Sequence, residues 1–425
     1  MEHQTRDRRD RLQNLLIVLL SVSAVLLFAQ NQMANLNRTW SDGHFGSLLD
    51  PAPAPVSEVD TLADLAAPVR VSVAVADGRC GLLYATTADA SLSQFSTLLG
   101  SALGSAGTWT ECDDQAFRAA LDHGVYFDFL NELPLPILTG LLGTEPSGDS
   151  SFSARQAVLF PSQEGVRLYL RSEDGTCRVC STAVQSEVLS TEMALYQADG
   201  TFFAFEGGEG YAQLDPYTLL PHETPESAVL TVGNSLSDSS TLLRQLDFNP
   251  YTKYRYTEKG GTEVIVEEPR TLRIQTDGTV VYQAGDGDTT LSVSSAGETA
   301  TAVEAVLGTR SLAETVLAGQ LGEATLYLES ITATDTGWLV RFGFQRGGVP
   351  ILFSDGSCGA EFQLTGSAIT HFSLHFRQYA ASSESSSPLP LTLAVAIADG
   401  QPGAELVTGY VDEGGTSVSL SWLNN

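Results

Sequence analysis

The stretch Leu272-Arg-Ile-Gln-Thr-Asp-Gly-Thr-Val-Val-Tyr282 decides the fold class of this 425-residue chain. Its two flanks are rich in strand-forming residues, and between them lies Asp277-Gly278, a pair that can adopt the positive φ angles of a two-residue turn. The stretch therefore predicts a β-hairpin, in which neighbouring strands run antiparallel. We expect antiparallel sheets in this part of the chain.

Further strands are predicted on both sides of this hairpin, mainly where apolar and polar residues alternate. They cover residues 69–75, 125–130, 324–331, 338–344 and 369–379, with a closing hairpin over 406–423 that turns at Glu413-Gly414-Gly415. The Ser-rich residues 381–387 are predicted to form a loop.

Helices are predicted over residues 90–103, 113–121 and 239–246, the last of them stopped by Asn249-Pro250. Apolar residues also recur at near-helical spacing within residues 298–321, where we expect helices broken near Gly308. Helices beside antiparallel sheets make the expected fold class α+β.

The charge balance limits the class of partner. The chain has 51 acidic and 22 basic residues, a formal net charge of -29, and its lysines are Lys253 and Lys259 alone. Such a surface repels a phosphate backbone, so we expect no nucleic-acid partner.

The basic residues Arg6, Arg8, Arg9 and Arg11 precede an apolar run over residues 15–29. That order predicts a single-pass protein of the cell membrane, with its N-terminus in the cytoplasm and the bulk of the chain extracellular. A cleaved signal peptide is the alternative, but no small-x-small cleavage site follows the run. An uncleaved signal anchor fits better, followed by a stalk that ends in Asp50-Pro-Ala-Pro-Ala-Pro55.

The expected organisation is a single N-terminal transmembrane helix followed by two or three extracellular domains of antiparallel sheet with packed helices. The predicted parts are a cytoplasmic basic tail (1–11), a transmembrane signal anchor (12–32), a Pro-rich stalk (33–60), an N-terminal extracellular domain (61–190), a central α+β domain (191–295) and a C-terminal α+β domain (296–425).

The membrane helix also holds the predicted partner-binding residues. Their 3-4-3-4 spacing is typical of a helix-packing seam, in which small residues permit close approach and polar ones hydrogen-bond to a neighbouring helix. The seam residues are Asn14, Ile17, Ser21, Ala24 and Phe28. A plain anchor is the alternative, because Ser and Ala are common in membrane spans.

A search for catalytic motifs finds neither a Ser-x-x-Lys nor a Gly-x-Ser-x-Gly sequence. Gly207-Gly-Glu-Gly210 lacks the lysine of a phosphate-binding loop. We therefore expect no enzyme activity, no catalytic residue, no cofactor and no metal. A serine and a histidine from distant positions could still assemble a site that no motif reveals.

The cysteines and two histidines have simpler interpretations than catalysis. Cys177-Arg-Val-Cys180 is interpreted as a local disulfide or as unreactive thiols, and the pairing of the five cysteines (Cys80, Cys112, Cys177, Cys180, Cys358) is left open. His371 and His375 alternate with apolar residues, so we expect them solvated on one face of a strand. On a strand they lie ~13 Å apart, too far to share a metal ion.

The order of parts resembles the YycH/YycI family of Gram-positive bacteria. The likeness is carried by residues 272–282, by 339–353 with Gly347-Gly-Val-Pro-Ile351, by Ala368-Ile-Thr-His-Phe372 and by 409–422. The resemblance implies a membrane-anchored regulator of the cell-wall sensor histidine kinase YycG, also called WalK. Its implied partners are that kinase, through the membrane helix, and a sister regulatory protein as a second candidate.

Two other functions stay open at this point. An extracytoplasmic module that senses a cell-wall or lipid component would contain an apolar cleft. A cell-wall hydrolase would show clustered carboxylates or a Ser-His pair with shifted pKa values.

Overall fold

The computed structural model describes residues 69–85, 90–142, 144, 152–234, 236, 239–286, 291–294, 299–398 and 403–424. All of them fall in one compact unit. The predicted basic tail, membrane anchor and stalk lie outside these residues. Within the described ranges, no helix is long and apolar enough to cross a membrane.

The described residues contain seven α-helices: α1 (Ala90–Gly104), α2 (Asp114–Leu121), α3 (Leu135–Leu141), α4 (Ser186–Met193), α5 (Ser239–Gln245), α6 (Ala302–Leu317) and α7 (Leu391–Ala398). The strands of the first half are β1 (Val69–Val75), β2 (Gly78–Ala85), β3 (Thr110–Cys112), β4 (Val125–Pro134), β5 (Ser153–Ser162), β6 (Gly165–Arg171), β7 (Cys177–Ser181), β8 (Phe202–Phe203), β9 (Leu219–Leu220) and β10 (Ser227–Asn234).

The second half adds β11 (Arg255–Thr257), β12 (Glu263–Glu267), β13 (Arg270–Ile274), β14 (Thr279–Gln283), β15 (Thr325–Ala333), β16 (Trp338–Arg346), β17 (Val349–Phe353), β18 (Ala360–Thr365), β19 (Ala368–His375), β20 (Arg377–Ser386), β21 (Leu406–Asp412), β22 (Ser417–Val418) and β23 (Leu420–Asn424). Among the described strand pairs, β17 and β21 run parallel and the others antiparallel. The predicted α+β class with antiparallel sheets is confirmed for this part of the chain.

The N-terminal sheet has seven strands in the order β2-β1-β4-β5-β6-β7-β3. Beside it lies α2, whose first turn is capped by the Asp113 side chain, which accepts a hydrogen bond from the Ala116 N–H at 2.7 Å. The helix buries Phe117 against the ring of Tyr217, edge to face at 5.4 Å. Such an aromatic pair contributes about 0.5–1.5 kcal/mol beyond the area that it buries.

The large sheet has eleven strands, in the order β11-β12-β13-β14-β19-β18-β16-β17-β21-β23, with β15 also paired to β16. It contains the predicted hairpin of β13 and β14, in which Leu272 pairs with Tyr282. The two-residue turn is wrong in detail: Gln275 N–H donates to Thr279 O at 2.8 Å, and Gly278 has a positive φ of 93° whereas Asp277 does not. The loop therefore spans three residues and ends in a glycine that permits the left-handed conformation.

A third sheet, β20-β10-β22, corrects the prediction of a loop at residues 381–387. Residues 381–386 belong to β20, which pairs antiparallel with β10 from Leu230↔Ala381 to Ser227↔Ser386. Their small polar side chains gave a loop signal, but pairing with a strand distant in sequence overrides such a local preference. Upstream, Phe376 separates β19 from β20, so the predicted strand 369–379 is divided between two sheets.

The predicted break near Gly308 is also wrong, because α6 is continuous from Ala302 to Leu317. A Cβ on residue 308 would lie 2.4 Å from the Cβ of Val293. Glycine is therefore present because the helix approaches a neighbouring segment closely, and the helix tolerates it. A capping box starts the helix: Glu304 N–H donates to Thr301 Oγ1 at 3.2 Å, and Thr301 N–H donates to the Glu304 carboxylate at 2.7 Å.

The predicted strand 125–130 extends further than expected, to Pro134, and the other predicted helices and strands are found within a residue or two of their expected bounds. Strand β14 of the predicted central domain pairs with β19 of the predicted C-terminal domain. The boundaries between the three extracellular domains stay a prediction.

Candidate functional site

The predicted seam residues Asn14, Ile17, Ser21, Ala24 and Phe28 lie outside the described residues. The seam therefore stays a prediction, and the functional site must be sought among the folded strands and helices. The candidate features of the described residues are titratable side chains, buried ion pairs and exposed surface.

His371 and His375 lie on β19 as predicted, with Phe372 and Leu374 buried on the opposite face. His371 Nδ1 lies 3.2 Å from Gln283 Oε1. His375 is less solvated than expected, because its ring packs edge-on against Phe353 at 4.7 Å and burial lowers its pKa. In the described part of the chain, no group of three or more His, Cys, Asp or Glu residues is placed to hold a metal.

The cysteines correct the expectation of a disulfide within Cys177-Arg-Val-Cys180. Cys177 pairs instead with Cys112, 65 residues away, and so joins β7 to the edge strand β3. Residues three apart on an extended strand lie ~10 Å apart, beyond the reach of a disulfide. Burial raises the pKa of the free thiols of Cys80, Cys180 and Cys358 to about 11, so these thiols are protonated and unreactive at neutral pH.

Four charged side chains form a buried ion cluster, consisting of Arg70, Asp128, Arg155 and Glu405. The Arg70 guanidinium donates to both carboxylates, and Arg155 donates to Glu405. Arg155 Nε also lies 3.5 Å from Asp128 Oδ1. Because Arg70, Asp128 and Arg155 lie on β1, β4 and β5, the cluster ties the N-terminal sheet to the segment that enters β21.

The electrostatics of the buried ion cluster keep the Asp128 carboxylate charged. Burial raises the pKa of Asp128, but the charges of Arg70 and Arg155 and a hydrogen bond from the Leu130 N–H outweigh burial, so the pKa lies below its ordinary value. A carboxylate held in this state by two arginines is a poor general base or acid. The cluster therefore joins parts of the fold and offers no catalytic group.

Leu130 reinforces the same junction. Its φ of 63° is unusual for a leucine, and its N–H donates to Asp128 Oδ1 at 2.8 Å. Its side chain packs with Val407 of β21 and Leu423 of β23. A strained backbone persists only where its surroundings hold it in place, and here both the ion cluster and the C-terminal strands do so.

A second buried carboxylate, Asp412, fixes the C-terminal hairpin. It accepts hydrogen bonds from Arg377 Nε at 3.0 Å, from the Tyr379 hydroxyl at 2.8 Å and from the Gly414 N–H at 2.8 Å. Burial raises the pKa of Tyr379, so its hydroxyl stays protonated and remains a donor. This network, too, is fully used in holding β20 against β21.

The surface has a different chemistry at residues 251–259, which we call the basic edge segment. Its tyrosines are strongly exposed, Tyr251 at 87%, Tyr254 at 61% and Tyr256 at 52%. Lys253 and Lys259, the chain's two lysines, lie in the same segment. The lysines were identified from the sequence, but the neighbouring tyrosines were not, although Tyr-Thr-Lys-Tyr-Arg-Tyr at 251–256 contains both residue types. Exposed Tyr and Arg are typical of protein–protein contacts.

Two further exposed apolar sites are smaller and uncharged. Leu393 and Ile397, 48% and 66% exposed, lie one turn apart on α7, beside Leu389. Val188 and Leu195 are exposed on and just after α4. Scattered apolar residues of this kind are normal on a protein surface.

A surface cavity of about 470 Å³ lies at the turn between β5 and β6. Its lining is mainly polar and includes Ser162, Gln163, Glu164, Arg167 and Ser181. It lacks the apolar lining that a binding site for a lipid would have.

Comparison with known proteins supports the fold assignment. The chain is similar to YycH from Bacillus subtilis, whose crystal structure superposes with a TM-score of 0.54 at 10% sequence identity, over 86% of this chain and 94% of that chain. No family model and no curated protein sequence matches. The YycH-like fold predicted from the sequence is confirmed, and at this identity the likeness concerns the fold alone.

Proposed function

We propose that this chain is a membrane-anchored extracytoplasmic protein that modulates a cell-envelope two-component sensor kinase. The single observation that carries the proposal is the YycH-like fold over 86% of the chain. The resemblance drawn from the sequence implies the rest: one membrane helix, a folded part outside the cell, and the YycG-type kinase as partner. A sister regulatory protein is the second candidate partner.

The chemistry of the described residues agrees with action by contact and not by turnover. The carboxylates of Asp128, Glu405 and Asp412 are paired with arginines and hold strands together. The free thiols are protonated, and the exposed tyrosines and lysines are suited to binding. We therefore propose a regulatory protein without enzyme activity.

A physical mechanism requires only that the chain binds two states of the kinase unequally. A helix that packs against the kinase's membrane helices shifts the signalling equilibrium by the difference between its affinities for the two states. Coupling energies of about 1–3 kcal/mol are typical of such effects. Close packing at Ser21 and Ala24 would supply this difference within the seam.

Co-purification of the full-length chain with the YycG-type kinase of the same organism tests the proposal. The double variant Ser21→Leu, Ala24→Leu should lose the kinase, since bulky side chains prevent close approach of the helices. Ser23→Leu is the matched control, because residue 23 lies off the seam. Retention of the kinase by the double variant would exclude the seam, and failure of the wild type to bind or modulate the kinase would exclude the function.

The two alternatives have less support. The cavity at the β5–β6 turn is polar, whereas a lipid-sensing module requires an apolar cleft. A hydrolase can be tested directly, by incubating the purified chain with peptidoglycan and measuring the release of soluble fragments. Release that depends on the chain would replace a regulatory role with an enzymatic one.

A further inference from the structure

The basic edge segment is an exception to the charge of the whole chain. The chain carries 51 acidic against 22 basic residues, yet residues 251–259 contain Lys253, Arg255 and Lys259 against the single acid Glu258. Residues 253–261 are all exposed. Arg255 is engaged by Glu263 and by Ser239 Oγ at 2.8 Å, so the two lysines contribute most of the segment's uncompensated positive charge.

The segment also contains an end strand of the large sheet. β11 lies at the end of the strand order and pairs with β12 on one side, and no other described strand pairs with it. Val266 N–H donates to Tyr254 O at 2.9 Å, and Glu258 N–H donates to Thr262 O at 2.8 Å. In an antiparallel pair, alternate residues direct their backbone groups to the partner strand. Arg255 and Thr257 therefore direct theirs away from β12, toward the open edge.

Lysines on an edge strand commonly prevent unwanted pairing, because they repel other strands. That explanation accounts for Lys253 and Lys259 but not for three tyrosines that are more than half exposed beside them. Tyrosine supplies large contact area at small entropic cost, which promotes binding at an edge. Together the two residue types repel basic strands and favour a strand that carries carboxylates.

We propose that β11 and its flanks bind an extended, acidic segment of a partner protein as an added strand. The backbone groups of Arg255 and Thr257 hydrogen-bond to the added strand. Lys253 and Lys259 pair with its carboxylates, and Tyr254 and Tyr256 pack on its side chains. The partner's regulatory role rests on the proposed function, but strand addition can be measured without a kinase.

Two other binding partners would account for only some of these features. An anionic membrane surface would satisfy the lysines but not the backbone groups at the open edge. A second copy of this chain could supply acidic residues and a strand, and would make the chain self-associate. Both are distinguishable outcomes of the experiment below.

The test uses the full-length chain in detergent and a fluorescent eight-residue peptide of alternating Glu and Thr, with binding followed by fluorescence anisotropy at low salt. We expect saturable binding that weakens as salt increases. The same peptide with alternate backbone nitrogens methylated is the first control, because it keeps every charge but cannot complete the strand hydrogen bonds. A peptide with Lys in place of Glu is the second, and neither should bind.

Variants of the chain assign the binding site. Lys253→Glu with Lys259→Glu should weaken peptide binding roughly tenfold or more. Thr257→Pro removes an outward N–H without touching the β11–β12 ladder and should also weaken it. Arg167→Glu, a charge reversal on β6 of the N-terminal sheet, is the control and should bind as the wild type does.

Equal binding of the methylated and unmethylated peptides would overturn strand addition, and so would equal binding by the wild type and the lysine variant. Lysine-dependent binding to anionic phospholipid vesicles without peptide binding would assign the segment to a membrane surface instead. Lysine-dependent self-association without peptide binding would assign it to a second copy. If the kinase is retained while the peptide fails, this inference falls and the proposed function stands.

Discussion

The buried ion cluster of the N-terminal sheet and the basic edge segment of the large sheet use their charges in opposite ways. In the N-terminal sheet Arg70, Asp128 and Arg155 are buried and neutralise one another, with Glu405 as the fourth member. In the large sheet the end strand β11 contains the exposed Tyr256, follows the exposed Tyr254 and lies between two exposed lysines. Buried charge of this kind restricts the fold to one arrangement of strands, while exposed charge is available to a partner. The comparison separates the residues that stabilise the chain from those that recognise another molecule.

The largest loss of stability is expected when one member of the buried ion cluster is removed. Asp128→Ala leaves two arginines with too little compensating charge in a region closed to water, which should lower the free energy of unfolding by about 3–5 kcal/mol. Urea unfolding followed by circular dichroism measures it. Glu164→Ala, which removes an exposed carboxylate from the turn between β5 and β6, is the control. A loss below 1 kcal/mol for Asp128→Ala would mean that water reaches the cluster.

The second largest effect on stability is expected at β3, an edge strand of the N-terminal sheet. Replacing Cys112 and Cys177 by serine removes a cross-link between residues 65 apart, which should cost about 2–4 kcal/mol. Cys80→Ser, which alters a free thiol, should have a much smaller effect. A reducing agent should destabilise the wild type and leave the double variant unchanged. If the wild type is insensitive to reduction, β3 is held by its strand pairing alone.

The free energy of unfolding should depend on pH in opposite directions for Asp128 in the N-terminal sheet and Glu329 in the large sheet. Asp128 has a pKa below its ordinary 3.8, so its contribution to stability is present above that pH and is lost as the pH falls through the folded-state pKa. Asp128→Asn should therefore be less stable than the wild type at neutral pH, and the gap should narrow as the pH falls. Urea midpoints measured between about pH 2 and pH 8 would test this, because the gap should narrow below the ordinary pKa of 3.8.

Glu329 in the large sheet has the opposite shift. Burial raises its pKa above 4.5, although Arg341 lies 3.6 Å away and opposes the rise. The folded state therefore favours the protonated acid, and that stabilising contribution is lost as the pH rises through the folded-state pKa. Glu329→Gln should equal or exceed the wild type in stability at neutral pH. A destabilised Gln variant would show that the charged carboxylate is needed by Arg341.

The smallest effect on stability is expected at the basic edge segment. Tyr254→Ser and Lys253→Glu alter side chains that are mostly in water, so each should change the free energy of unfolding by no more than about 0.5 kcal/mol. Thermal unfolding of each variant measures this. A cost comparable to that of Asp128→Ala would remove the distinction between the two sheets, because the segment would then be part of the fold's stability.

The predictions from sequence succeeded where the signal was local. The hairpin around Gly278, the helix within residues 113–121 and the helix stopped before Pro250 each depend on residues a few positions apart. They failed where a distant segment decides the outcome: Gly308 is accommodated by its contact with Val293, and the serines of β20 become a strand by pairing with β10.

The candidate site, too, could be predicted from the sequence only where its signals are local. The tyrosines and lysines of the basic edge segment are visible in the sequence, but their position on an open edge requires the order of the eleven strands. The Cys112–Cys177 pairing and the buried ion cluster join residues that no local pattern relates. The membrane seam is a sequence pattern alone and stays a prediction.

The contact between Arg70 and Glu405 spans 335 positions, and it has a consequence for synthesis. A ribosome releases the strands of the N-terminal sheet long before Glu405 appears. Until then Arg70 and Arg155 share one carboxylate, and Leu130 lacks the strands that cover it. The nascent first sheet therefore lacks one member of its buried ion cluster until the segment that contains Glu405 has been synthesised.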